Sequence, residues 1–305
     1  MNASRGHAGK PAYLVDGSLY VFRAWHSMPE DFRDAEGLPA NAVHGYTRFL
    51  CELIEREKPA HLMVAFDASL TTSFRNQLYP AYKANRELPP PDLERQFALC
   101  REVTEAIGVT VLADPVYEAD DLIGSMLWTL RAQGRHSVIV SADKDFGQLL
   151  GEHDRQWDFA RDRRWGPEGV HEKLGVHPHQ VADYLALTGD SVDNIPGVPG
   201  IGAKTAAALL QHFGDLESLL ERVDEVEFLS LRGAKSCARR IRDNAEQARL
   251  FARITRIALD APVPERAEQL ERRPGDRAQL ERLCQKLRFG PLTRSRLNDL
   301  DGSNA

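Results

Sequence analysis

Three apolar, β-branched runs in this chain end in aspartate: Tyr13 to Asp16 (YLVD), Leu62 to Asp67 (LMVAFD) and Ser137 to Asp143 (SVIVSAD). Each reads as a buried strand, and longer helical patterns separate them, which predicts a mostly parallel sheet with helices on its faces. In open α/β sheets, ligands gather beyond the carboxyl ends of the strands. Three aspartates at three such ends can therefore converge on one site.

The helical intervals are Ala42 to Glu57, Pro91 to Ile107 and Glu118 to Gln133, each closed by a Gly or Pro signal. Residues Thr71 to Pro91 fit neither period. They are polar, carry Arg75, Lys83 and Arg86 with no acidic residue before Glu87, and end in three prolines. We expect a mobile excursion from the sheet there. After about Gly166 the texture is all helical, with clear helices at Val181 to Leu187 and Ala203 to Phe213, and the polar segment from Pro291 to Ala305 is expected to fray.

At 305 residues the chain can bury a core without staples, and no segment approaches the length of a spanning helix. Residues 1 to 12 carry Arg5 and Lys10 with no apolar stretch behind them, so no secretory signal and a cytoplasmic location are expected. Cys51, Cys100, Cys237 and Cys284 are too widely spread for a metal or redox motif. A net charge of -6 taken alone opposes a nucleic-acid partner. Its distribution reverses that: Leu231 to Ala258 holds Arg232, Lys235, Arg239, Arg240, Arg242, Arg249, Arg253 and Arg256 against only Asp243 and Glu246.

Acidic residues recur in a repeated context. Glu118, Asp120 and Asp121 open a helix, where the macrodipole favours carboxylates, so an ordinary acidic first turn accounts for them equally well. Asp143 and Asp145 follow a strand at a spacing of two, which in extended geometry points both the same way. Asp190 and Asp193 stand three apart after a helix. With Asp16 and Asp67 they make nine carboxylates, and crowding them would raise their pKa values unless cations neutralise them. An oxygen-only donor set points to Mg²⁺ or Mn²⁺ rather than zinc.

The run Gly197 to Gly202 (GVPGIG) has the wrong spacing, and no preceding strand, for a dinucleotide fingerprint. It fits a tight hairpin between helices. Glycines there let the backbone approach a phosphate, the next helix offers free N–H groups, and Lys204 adds charge.

These residues resemble the 5′ nuclease (flap endonuclease) family, in particular the N-terminal 5′-3′ exonuclease domain of bacterial DNA polymerase I. The matching landmarks are YLVDGSLYVFR at 13–23, VAFD at 64–67, SFRNQLYPAYKANR at 73–86, YEADD at 117–121, SADKDFGQLL at 141–150 and TGDSVDNIPGVPGIGAKTA at 188–206. The resemblance implies an α/β fold with a PIN-like sheet and a helical arch over residues 12–175. A helix-three-turn-helix DNA-binding region at 176–290 and a frayed tail at 291–305 would follow. It implies one ion on Asp16, Asp67, Glu118, Asp120 and Asp143 and a second on Asp121, Asp145, Asp190 and Asp193, with K⁺ often held at the hairpin. Phosphate contacts fall on Arg23 and Arg75, and catalytic cations of the arch on Lys83 and Arg86. Phe22 matches an aromatic position that stacks on a base, although an aromatic after a strand is at least as often a core residue, and Tyr82 can be either as well. Gly197, Gly200, Gly202 and Lys204 would grip the duplex backbone.

The expected activity is that of a stand-alone monomeric nuclease cleaving DNA near 5′ ends at flaps, nicks or branches, without membrane association. The alternatives are a DNA-structure binding module that has lost catalysis and a PIN-type ribonuclease. The complete acidic set argues against the first. The duplex-gripping hairpin argues against the second.

Overall fold

The computed structural model describes residues 10–68 and 72–300. Along the chain run β1 (Ala12–Asp16), α1 (Gly17–Ser27), α2 (Asn41–Glu57), β2 (His61–Asp67), α3 (Phe74–Leu78), α4 (Pro91–Ala106), β3 (Thr110–Asp114), α5 (Ala119–Ala132) and β4 (Ser137–Val140). There follow β5 (Arg155–Asp158), β6 (Arg163–Trp165), α6 (Pro167–Leu174), α7 (Val181–Thr188), α8 (Ala203–Phe213), α9 (Leu216–Glu221), α10 (Ala234–Asp243), α11 (Ala245–Thr255), α12 (Arg277–Lys286) and α13 (Pro291–Asp299). The strands are mostly parallel and helices flank them, with the all-helical texture after Gly166 as expected. The chain divides into two compact units, one built from residues 10–68, 88–141 and 259–300, the other from 72–87 and 142–258.

In the first unit the strand order is β3-β2-β1-β4, all parallel. β1 is interior, with Val15 opposite Val64 on one side and Val140 on the other. Every residue of β1 and β4, and all of β2 but its last, is buried, which is why these runs are continuously apolar instead of alternating. α5 packs on all four strands, while α1, α2 and α4 pack on one another. β4 stops at Val140, short of the expected Asp143. The chain turns there because the Ser141 hydroxyl bonds Asp16 and Asp143 caps a 3-10 turn over Lys144–Leu149.

In the second unit β5 and β6 pair antiparallel around the fully buried Trp157, whose face is covered by the Arg164 guanidinium 3.8 Å from the ring centroid. The helical part is organised on α7, which packs against α8 and α11. Thr255 of α11 donates its hydroxyl proton to the Ala182 carbonyl, and Gln180 donates to the carbonyls of Leu210 and Gly214.

Two expectations need correction. The stretch expected to be mobile is helical over α3, and residues 72–87 are fastened within their unit. Asn76 donates to the Tyr82 carbonyl, Asn85 to that of Ser191, and Asn194 returns a bond to that of Ala81. Its first residue, Thr71, lies outside the described residues. The segment from Pro291 is likewise no frayed tail as far as Asp299: it forms α13, opened by proline at its first position, with Leu297 fully buried and Leu300 nearly so. Residues 301–305 of that expected tail, and the first nine residues of the chain, lie outside the described set.

If α13 is part of the core, truncating its buried side chain opens a cavity. Leu297→Ala is expected to cost about 2–4 kcal/mol in urea melts, whereas the exposed Leu292→Ala should change little.

Candidate active site

The acidic residues separate into two groups. Asp16, Asp67, Glu118, Asp120 and Asp121 belong to the first unit; Asp143, Asp145, Asp190 and Asp193 belong to the second. Among the described residues, no three His, Cys, Asp or Glu side chains form a ready-made ligand group. Backbone N–H groups and cations of the chain itself engage them instead.

In the first unit the strand ends place the carboxylates at helix starts. Asp16 ends β1 and caps α1, accepting from Leu19 N at 3.0 Å, and its other oxygen accepts from the Ser141 hydroxyl at 2.9 Å. Asp67 ends β2 and accepts from Ala119 N, the first residue of α5, at 2.9 Å. Glu118 and Asp121 form a capping box at the same helix start, each side chain accepting from the other's end of the first turn. Helix N-termini thus carry the burial cost of Asp16, Glu118 and Asp121, all of them buried.

Phe22 and Arg23 lie on α1. The Phe22 ring is half-buried and meets Phe97 edge to face at 5.1 Å, which is the packing role, and Arg23 stands 5.7 Å from the Tyr20 ring.

In the second unit the spacing argument needs revision. Asp143 accepts from Asp145 N at 3.0 Å, so the pair is set by a 3-10 turn and not by extended chain. α7 ends at Thr188, and the loop after it is closed by reciprocal 2.7 Å backbone bonds between Asp190 and Ile195. Asp190 and Asp193 therefore sit on a closed loop rather than a continued helix.

Lys144 bonds Asp190 and lies 3.5 Å from Asp145. Burial pulls its ammonium down, yet Asp145, Asp190 and Asp143 outweigh that and hold it above the usual lysine range. Arg86 reaches Asp193 at 2.6 Å, and the Tyr82 hydroxyl donates to the other oxygen of Asp193 at 3.2 Å.

Burial, reinforced by Asp143, Asp190 and Asp193, pushes the Asp145 carboxyl up to about 7, against the pull of Lys144. Its Oδ1 is buried without a hydrogen-bond partner. A buried carboxylate oxygen left over among three further aspartates is what a hard divalent cation neutralises, so this donor set fits Mg²⁺ or Mn²⁺.

The cations of the 72–87 stretch divide. Lys83 has left-handed backbone (φ 55), donates its N–H to the Asp193 carbonyl and carries its ammonium 4.9 Å from the Tyr82 ring centroid. Arg86 stays exposed. Arg75 is only 3% exposed, donates to the carbonyls of Ile254 and Arg256, and lies over Phe74, so its guanidinium faces inward. Tyr82 is also buried and offers no free face for a base. Sequence reasoning missed Lys144 and the Arg86–Asp193 pair. The available signal was a lysine set between two aspartates.

The GVPGIG run is a hairpin leading into α8. Gly197 needs its left-handed backbone (φ 69), because a Cβ there would stand 2.3 Å from Gly189 N. At Gly200 a Cβ would strike the Arg240 guanidinium, so this cation of α10 rests on the hairpin. Gly202 caps α8 without a side chain, in the open, and Lys204 is exposed in the first turn. That leaves the N-terminus of α8 open to solvent.

Residues 11–175 match the family described as 5′-3′ exonuclease, N-terminal resolvase-like domain, and residues 176–278 the one described as 5′-3′ exonuclease, C-terminal SAM fold. DNA polymerase I of Rhizobium leguminosarum is 40% identical over 298 residues, covering 95% of this chain and 29% of that protein. This chain thus spans less than a third of the length of that relative. The 5′-3′ exonuclease of Buchnera aphidicola is 34% identical over 262 residues, covering 86% of this chain and 91% of the relative. Among solved structures, a T5 5′-exonuclease with bound zinc has a TM-score of 0.64 at 18% identity, covering 95% of this chain and 98% of that one. The catalytic core of Rad2 with DNA substrate has a TM-score of 0.65 at 14% identity, covering 96% and 93%. These two likenesses show the fold.

Asp145 gives a stability test. Its raised pKa means that its contribution is fully present below the ordinary carboxylate range and is lost as pH rises through about 7. In EDTA, Asp145→Asn is expected to raise Tm by about 3 °C or more at pH 8. The difference should vanish by about pH 3, where the unfolded carboxyl also holds its proton.

Proposed function

The chain belongs to the 5′-3′ exonuclease family, and on that footing we propose that it hydrolyses DNA phosphodiesters near 5′ ends at flaps, nicks or branches. Two Mg²⁺ or Mn²⁺ ions would serve it, and the products would carry 5′-phosphate and 3′-hydroxyl ends. The observation that supports this most is the second-unit cluster. Four aspartates share it with Lys144 and Arg86, and one buried oxygen of Asp145 remains without a hydrogen bond.

The ligands would be the carboxylates at the strand ends and on the first turn of α5, and those of the second-unit cluster. When bound, divalent ions lower the pKa of water and offset charge developing on phosphate oxygens. The chain's own residues do the rest. Asp16, Asp67, Glu118 and Asp121 are oriented by helix N-termini, so little side-chain entropy remains to be lost on engaging a ligand. Lys83 and Arg86 would bring positive charge to a scissile phosphate, and Arg86 must leave Asp193 to do so. The hairpin, the start of α8 and Lys204 would hold the duplex backbone, and Arg240 adds a cation on the same surface. Arg75 ties α3 to the end of α11 through its bonds to two carbonyls.

Two experiments test the proposal. Asp145→Asn and Asp193→Asn should each lower single-turnover cleavage of a labelled flap in Mg²⁺ by about 100-fold or more, while flap affinity in Ca²⁺ stays near wild type. Near-normal cleavage would contradict the assignment, and a silent wild type would favour a binding module.

A Cβ at Gly202 meets nothing within 4 Å, so Gly202→Val should keep the fold while obstructing a phosphate at the start of α8. Duplex affinity is expected to fall several-fold with Tm nearly unchanged. Unaltered binding would reduce the hairpin to a plain turn.

A further inference from the structure

We propose that Lys144 is a built-in cation of the second-unit carboxylate cluster: its ammonium holds Asp190 and Asp145 together and must be displaced when a divalent ion binds there. The inference rests on the reading that these carboxylates bind metal, and it adds a positioning role to a residue which that reading leaves unused.

Lys144 is the first residue of the 3-10 turn capped by Asp143, so an aspartate stands on either side of it. A lysine in an exposed turn ordinarily points its ammonium into water. This one does not: its side chain is 36% exposed, and it reaches an aspartate 46 positions away.

The oxygen it takes matters. Asp190 Oδ1 already accepts from Val192 N at 2.8 Å, and Asp143 Oδ1 from Asp145 N at 3.0 Å. Each of these aspartates thus has one oxygen fixed by the local backbone. On Asp190 the second oxygen, Oδ2, is the one Lys144 bonds, and the same ammonium is 3.5 Å from the otherwise unbonded Oδ1 of Asp145.

A divalent ion that takes up those two oxygens competes with the ammonium for them, because the two cations repel each other at that range. Ion uptake therefore costs a charge-assisted hydrogen bond. Two consequences follow. The ion binds more weakly than the carboxylates alone would allow, and the released ammonium gains access to an anionic ligand beside the ion.

The test is calorimetric titration of Mn²⁺ into the full chain without DNA, in about 0.5 M salt, where long-range fields are screened. Wild type is expected to show two steps. In Lys144→Met one step should tighten about 10-fold or more and the other stay unchanged, as loss of one charged contact at one site requires. Lys144→Arg keeps the charge and should stay within about threefold of wild type. In EDTA the Tm of Lys144→Met should drop, and saturating Mn²⁺ should restore it. Should Lys144→Met not fold, Lys144→Gln takes its place, with the same single-step tightening expected.

Unchanged or weakened Mn²⁺ binding in the Met and Gln variants would overturn the inference, as would equal tightening of both steps, which reports only a change in overall charge. A wild type that takes up no Mn²⁺ would sink the metal reading, and this inference with it. Normal two-step uptake in wild type with no Lys144 effect would sink this inference alone.

Discussion

Repulsion between carboxylates is the constraint to which the rest of the structure answers. Carboxylates held close together repel one another, and the two units offset that charge differently. In the first, the charge is partial and comes from backbone: Asp16 caps α1, Asp67 accepts from the first N–H of α5, and Glu118 and Asp121 box the start of that helix. In the second, backbone N–H groups bond Asp190 and Asp143, and whole charges come in addition from Lys144 and Arg86. Helix N-termini are permanent parts of a fold, whereas long cationic side chains can leave. The first arrangement suits ligands that stay in place, and the second suits a site whose partners exchange.

Much of this was legible in the sequence, for a local reason. A parallel strand buried on both faces has to be continuously apolar, so its last residue shows as the first polar one, and Asp16 and Asp67 stand where β1 and β2 end. Helix α8 could be read residue for residue because the glycine at each end and the apolar period between them lie within a dozen positions. What could not be read depends on partners far along the chain. Arg75 looks like a phosphate ligand in its motif, yet its bonds go to carbonyls 179 and 181 positions away. Tyr82 and Arg86 find Asp193 across more than a hundred residues, which fastens a stretch whose composition reads as mobile.

The misjudged C-terminal segment has a different cause. α13 is polar over most of its length, and Leu297 with Leu300 is too short a pattern to signal a helix by period. It is folded because those two side chains are buried and because Arg296 pairs with Glu55 of α2, while Arg294 donates to the carbonyls of Phe289 and Cys284. Tertiary contact supplied what local propensity lacked.

The loop from Gly189 to Gly202 joins two groups of residues named in the proposal. Its start carries Asp190 and Asp193, and its end carries the hairpin and the opening of α8. The two parts meet at a backbone crossing so close that a Cβ on Gly189 would lie 2.5 Å from the Ile195 carbonyl, and one on Gly197 would lie 2.3 Å from Gly189 N. Val198 N bonds the Leu187 carbonyl at 2.9 Å and seats the hairpin on the end of α7. Side chains would separate these strands of backbone, so glycine at both positions is what allows Asp190, Asp193 and the hairpin to be one stiff piece. The start of α8 is then held at a fixed offset from Asp190 and Asp193.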